Sequence, residues 1–355
     1  MDSPELRAKY RRSIRLKVLF ILACVVLSVI ALGSSVVVGG KTVNIVEVYT
    51  ALFDHIRGIR YEQYTEKWYR DVAVWNLRVP RAIFAVIAGA GLAIAGAAMQ
   101  SVMKNPLADA YTTGVSSGAC FGVAVSAAFG FAAVGSSSMF NAINAFVFSL
   151  IPTIFIIYMA PRQNMTPATL ILAGQAITYL FNSLTTVLLS ILDEVSLANV
   201  YEWEIGTFKY ITWDDVMVPF VVTLFGSTIL ILLSKKLNVM SLGDEQATAL
   251  GLNIETLRII LLFIVTFIVA SIVAYAGIIG FVGLVAPHIV RMILGGDNRF
   301  VIPASAAFGA TFLLVCDMIA RYLSPMETIP VGIVISFIGA PLFLYFIIRQ
   351  RRSMW

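Results

Sequence analysis

A chain of 355 residues that is 59% hydrophobic and 13% charged is too apolar for a soluble domain, where about 25% charged residues is usual. Its net charge of +5 lies in short basic clusters between apolar runs, which marks membrane topology and excludes a nucleic-acid surface. Cys24, Cys120 and Cys316 each stand alone in an apolar run, so no disulfide framework or cysteine metal site is present.

A bilayer core needs about 20 apolar residues per helix. Ten runs approach that length: 18–38, 79–103, 112–133, 140–160, 168–192, 213–234, 257–276, 279–294, 301–322 and 329–348. The first follows Arg7, Lys9, Arg11, Arg12, Arg15 and Lys17. It exceeds the 7–15 or so apolar residues of a signal peptide and lacks a small-x-small cleavage site, so it reads as an uncleaved span after a cytoplasmic segment 1–17. The eighth run is short and interrupted by Gly280, Gly283 and Pro287. Such a segment survives in lipid only when buried in protein or lining a cavity.

An even number of spans puts both termini on one side. The N-terminal basic cluster, Lys104, Arg162, Lys235, Lys236, Arg258, Arg349, Arg351 and Arg352 then all assign that side to the cytoplasm. The long outer segment 39–78 carries His55, Trp68 and several tyrosines and suits an interfacial helix. Small residues recur at four-residue spacing, as Gly89, Ala93 and Ala97 and as Gly114, Gly118 and Gly122. In lipid such stripes let backbones approach closely. The expectation is an all-α polytopic membrane protein, residues 1–355 forming one transmembrane domain.

Gly39-Gly40-Lys41-Thr42 imitates the end of a phosphate-binding loop, but that loop needs a glycine at position 35, which is Ser35. Nucleotide binding is therefore not expected here, and ATP-driven transport would need a separate ATPase polypeptide. Its docking surface is expected in the longest cytoplasmic connection, 237–257. Ser241 with Asp244 resembles a capping box, Gly251 suits a helix C-cap and Asn253 an N-cap. Two short helices joined at 251–253 are predicted, the first with a small apolar face of Leu242, Ala249 and Leu250; a plain solvated connector is the alternative.

Asn105-Pro106-Leu107 ends the second span, because proline breaks the helix and asparagine satisfies freed backbone groups. Gln175, Thr178 and Asn182 face either a polar path or a neighbouring helix. His288, inside a span with no other metal-ligating side chain nearby, reads as structural. Gly114-Val115-Ser116-Ser117-Gly118 matches G-x-S-x-G on paper, the signature of a serine hydrolase, but opens a membrane helix instead of a strand–turn–helix elbow. An ion-coupled secondary transporter is a further rival. Such proteins usually bury carboxylates or histidines at mid-membrane, whereas here the carboxylates sit mostly at span ends and in loops.

Four motifs occur in a telling order: Leu77-Arg78-Val79-Pro80-Arg81, Asn105-Pro106-Leu107-Ala108-Asp109, Gly114-Val115-Ser116-Ser117-Gly118, and the broken segment from Gly280 to Arg291 containing Pro287-His288. From about residue 70 to the C-terminus the chain resembles the permease subunit of binding-protein-dependent ABC importers for iron chelates, haem and cobalamin. The resemblance implies a type II ABC importer permease architecture in a prokaryotic inner membrane. It implies two ten-span permeases, identical or paralogous, around a shared pathway, with two ATPase subunits below and an extracytoplasmic binding protein above. No covalent chemistry or cofactor is then expected in this chain, since ATP and Mg belong to the ATPase. An iron siderophore is the leading cargo, then haem, then cobalamin.

Residue by residue, the resemblance implies ATPase coupling through Leu242, Gly243, Asp244, Glu245, Ala249, Leu250 and Gly251. It implies binding-protein docking through Arg78, Arg81 and Arg321, for which snorkelling or local pairing is the alternative. It implies a cytoplasmic gate at Asn105 and Leu107. Similar cobalamin permeases add Thr-Ser at the start of span five, where this chain has Pro167-Ala168 between Thr166 and Thr169. Thr166 and Thr169 are therefore taken as gate candidates, and cobalamin is the weaker cargo.

Overall fold

The computed structural model describes residues 4–39, 44–129, 137–159, 166–324 and 329–349. Arg162, Arg351, Arg352 and the Gly40-Lys41-Thr42 stretch lie outside the described residues. Among the described residues, seven helices are long and apolar enough to cross a membrane, and three apolar helices are shorter. In chain order the ten are α1 (Pro4–Val37), α4 (Val79–Met103), α5 (Val115–Phe129), α6 (Ser137–Met159), α7 (Pro167–Leu189), α9 (Met217–Leu232), α12 (Ile254–Ala276), α13 (Val282–Leu294), α14 (Asn298–Leu323) and α15 (Val331–Arg349). Each matches one of the runs read from sequence. The bundle has a basic end, with Lys104 and Arg258, and a tryptophan end, where Trp75 packs on Trp213 at 5.2 Å.

α4 is the central helix, buried along nearly its whole length between α14, α13, α12 and α9. Its small residues make this possible. A Cβ on Gly89 would overlap the Gly309 carbonyl of α14, and one on Gly96 would overlap the Gly283 carbonyl of α13. Gly118 and Gly122 likewise sit on the backbone of α6 at Phe148 and Asn144. In a membrane, close packing of this kind replaces the hydrophobic effect as the glue between helices.

The outer segment is more helical than its composition indicated. It contains α2 (Ile45–Ile56), capped by the Asn44 side chain, and α3 (Glu66–Val72), capped by Thr65. α3 then runs through a π-helical turn, Ala73–Arg78, directly into α4. Pro80 explains the wide turn. It has no N–H, and its ring would crowd the carbonyl four residues back, so the helix absorbs it by widening. Sequence reading placed a helix start at Val79 where the chain in fact continues. It also missed α8 (Glu194–Ile205), whose signal is Asp193, accepting from the N–H groups of Val195 and Ser196.

Between α12 and α13 the chain is extended from Gly277 to Gly280 at the depth of the helices. Its backbone is not left bare: the Tyr111 hydroxyl donates to Ile279 O (3.0 Å) and accepts from Ile279 N (3.3 Å). This meets the requirement that irregular backbone inside a membrane be buried and hydrogen-bonded.

Gly96→Val forces α4 and α13 apart at their backbone contact. The expected loss is about 1–3 kcal/mol, read as a lower thermal unfolding midpoint in detergent, whereas Ala95→Val, away from this contact, is expected to cost less.

Candidate functional site

At the basic end, α10 (Ser234–Met240) and α11 (Asp244–Ala249) precede α12. Ser241 does not cap α11; its hydroxyl donates back to Leu237 O at 2.9 Å, and Gly243 occupies the cap position. Gly251 adopts a left-handed conformation after α11, and Asn253 caps the next helix by accepting from Thr256 N at 3.1 Å. That next helix is the whole span α12, so the connection holds one short helix after α10 rather than an isolated pair. Leu242 and Leu250 are 62% and 65% exposed, and Ala249 and Glu245 are exposed beside them. Ala247 turns inward and anchors the helix.

Asp244 ties this segment to the bundle. Its carboxylate accepts from Lys104 Nζ at 2.7 Å and from Arg258 Nη2 at 3.0 Å. Burial works against the charged form, but the Lys104 hydrogen bond and the Arg258 charge outweigh it and hold the carboxyl below its usual range. Lys104 is the left-handed C-cap of α4, one residue before Asn105. Sequence reading named Asp244 for a cap and, by resemblance, for ATPase coupling, but not for this junction. A basic residue at the end of a span facing an acidic one in the coupling segment was the available signal.

The candidate gate begins at that junction. Asn105 Oδ1 accepts from Leu107 N at 2.9 Å, closing a turn that leaves the Leu107 side chain exposed. Thr166 caps α7, its hydroxyl accepting from Thr169 N at 3.2 Å and lying 2.9 Å from the Thr169 hydroxyl. Gly174 of α7 rests on the Thr112 carbonyl in the turn after Leu107, which joins the two candidate gate elements. Further along α7, Gln175, Tyr179, Asn182, Ser183 and Thr186 are all exposed. Ser183 and Thr186 donate to carbonyls of their own helix at 2.9 Å, which leaves Gln175 and Asn182 as the exposed amides of that face.

The three arginines chosen for docking lie at the tryptophan end. Arg81 is 7% and Arg321 5% exposed, and both bind the fully buried Asp317, at 2.8 and 3.0 Å. Arg321 also donates to the carbonyls of Ser35 and Val38, and Arg78 to those of Val36 and Val37. These carbonyls end α1, where the helix dipole favours cations. In the chain alone, Arg81 and Arg321 thus clamp α1, α4 and α14 together. Local pairing, the alternative weighed from sequence, describes the geometry of these two.

His288 is buried with its ring 5.6 Å from Phe346. Ser116 lies in the first turn of α5, preceded by a 3-10 turn instead of a strand, so the hydrolase elbow is not formed.

Among the described residues the fold is a helical bundle of seven span-length helices and three shorter apolar ones, the architecture of a polytopic membrane protein. A model of the FecCD transport family matches residues 22–349. The hemin transport system permease protein of Yersinia pestis is 35% identical over 282 residues, 79% of this chain and 84% of that protein. The Fe(3+)-citrate import system permease protein of Bacillus subtilis is 35% identical over 348 residues, 98% of each chain. A solved structure described as a metal-chelate type ABC transporter in an inward-facing conformation superposes with a TM-score of 0.80 at 30% identity, covering 93% of this chain and 99% of that one. The chain belongs to the FecCD transport family and is an ABC importer permease of the metal-chelate type.

Asp317→Ala leaves two buried guanidinium groups without their shared counter-ion. It is expected to cost about 3–5 kcal/mol, measured as a fall in thermal midpoint. Asp317→Asn, which keeps an acceptor, is expected to fall between the two.

Proposed function

We propose that this chain passes a ferric siderophore, delivered by an extracytoplasmic binding protein, to the cytoplasm under the action of a separate ABC ATPase. Haem and cobalamin are the next cargoes in order. The observation that carries the reading is the Asp244–Lys104 link at 2.7 Å, which joins the docking segment to the residue before the Asn105-Pro106-Leu107 turn. Closure of an ATPase against α11 would pull on α4 at its gate end. The basic end is then cytoplasmic, with both termini on that side.

A second permease copy or paralogue completes the pathway. The exposed polar face of α7 supports this, because pairing two such faces encloses a polar channel and removes them from lipid. Sparse charge along that face fits a bulky cargo that must cross without being held. Docking of the binding protein through Arg78, Arg81 and Arg321 remains part of the proposal. For the latter two it requires carboxylates on the partner that compete with Asp317. Arg78 is half-buried and can meet a partner without opening that cluster.

Energy and capture both come from other subunits. Reconstituted alone, the chain is expected neither to hydrolyse ATP nor to accumulate ferric siderophore; vesicles also containing its cognate ATPase and binding protein should do both. Uptake by the chain alone would overturn the proposal. On the docking face, Leu242→Glu and Leu250→Glu are expected to weaken ATPase capture about tenfold or more. The thermal midpoint should stay put, since both side chains are exposed; unchanged capture in a pull-down would remove this face from the interface.

A further inference from the structure

We propose that Arg291 is a positioning residue through which movement of the docking segment reaches the Pro106 turn, a proposal that rests on the ATPase-coupled reading above. Arg291 lies buried on α13, between the gate end of α4 and the start of α14. Its Nη2 donates to Ser101 Oγ at 2.8 Å, Ala97 O at 3.0 Å and Asn298 Oδ1 at 3.0 Å. Its Nε donates to Gln100 Oε1 and its Nη1 to Gly296 O, both at 3.3 Å. One planar fork thus holds α4, α13 and the 296–298 corner in a fixed relation, which only guanidinium geometry allows.

Both ends of this network meet parts assigned to coupling. On one side, Asn238 of α10 accepts from Asn298 N and donates to Asp297 Oδ1, each at 2.7 Å. Asn238 therefore grips the first turn of α14 from the docking segment. On the other side, Gln100 Nε2 donates to Pro106 O at 3.0 Å and Leu284 O at 3.2 Å. The Gln100 carbonyl also accepts from Asn105 N at 3.2 Å. Gln100 so holds the gate turn by side chain and main chain together. The path from Asn238 through Asn298, Arg291 and Gln100 to Pro106 is hydrogen-bonded at every step, and it is separate from the Asp244–Lys104 link.

One donor in the path is left over: Asn298 Nδ2 is buried and meets no acceptor. Exchange of hydrogen-bond partners around that amide would give the cluster a second arrangement. A packed, hydrogen-bonded cluster with two discrete arrangements is the kind of element that carries coupling between sites.

The test uses the assembled permease, ATPase and binding protein in nanodiscs, with a spin label at Leu107→Cys and ATP, Mg and vanadate as the trigger. The background complex should show a nucleotide-driven change in label environment. In Arg291→Lys and in Asn238→Ala the responding fraction should fall about tenfold, read on complexes purified with the ATPase bound. A full response in Asn238→Ala overturns the proposal, because a purely structural Arg291 would lower the stability of Arg291→Lys and leave Asn238→Ala responsive. If Arg291→Lys does not assemble, Asn238→Ala decides alone. Absence of any response in the background complex would instead sink the coupling reading, and this inference with it.

Discussion

Close contact between helix backbones along α4 is the constraint on which the rest of this structure depends. Water is absent from a bilayer core, so helices gain little from hiding apolar surface from one another. What holds α4 is direct packing at Gly89 on Gly309 and Gly96 on Gly283, with alanines filling the intervals. The same intimacy makes α4 a stiff rod. Arg81 sits at one end of it, and Gln100, Ser101 and Lys104 at the other.

The two ends of that rod are held by different chemistry. At the tryptophan end, Arg81, Asp317 and Arg321 form a dry ionic cluster that is costly to open, since separating buried partners strands a charge. At the basic end, Asp244 and Lys104 are partly exposed, and an ion pair of that sort contributes only about 0–1 kcal/mol. Hydrogen bonds from the buried Arg291 guanidinium to Gln100 and Asn298 complete the basic end. Bonds to a charged group are stronger than neutral ones. The bundle is thus held by a buried charge cluster at the tryptophan end, and by the Asp244–Lys104 pair and the buried Arg291 at the basic end.

Individual elements show why some features were readable and others were not. The seven long spans were visible because a bilayer demands length and apolarity, which composition records directly, while α5, α13 and α15 were visible by apolarity alone. Asn253 was rightly seen as a cap, because capping is a local bond between a side chain and the backbone three residues on. Ser241 was misread: the same local chemistry let its hydroxyl bond backward to Leu237 instead of forward. Pro80 seemed to start a helix, yet a π-turn carried α3 through it, and which outcome wins depends on what the preceding residues pack against. Arg81 and Arg321 looked like surface charges at span ends; only their meeting with Asp317, over 200 residues from Arg81 in sequence, turned them inward.

By itself, the sequence determined the membrane character, the apolar runs and the family, because each depends on residue type and spacing within one segment. The tertiary structure alone decided which charges are buried, that Asp244 joins α11 to α4, and that Arg291 links α4, α13 and α14. The physical reason is that these are contacts between distant segments. Their partners are chosen by how helices cross, and helix crossing is set by backbone shape at a few small residues rather than by any local pattern.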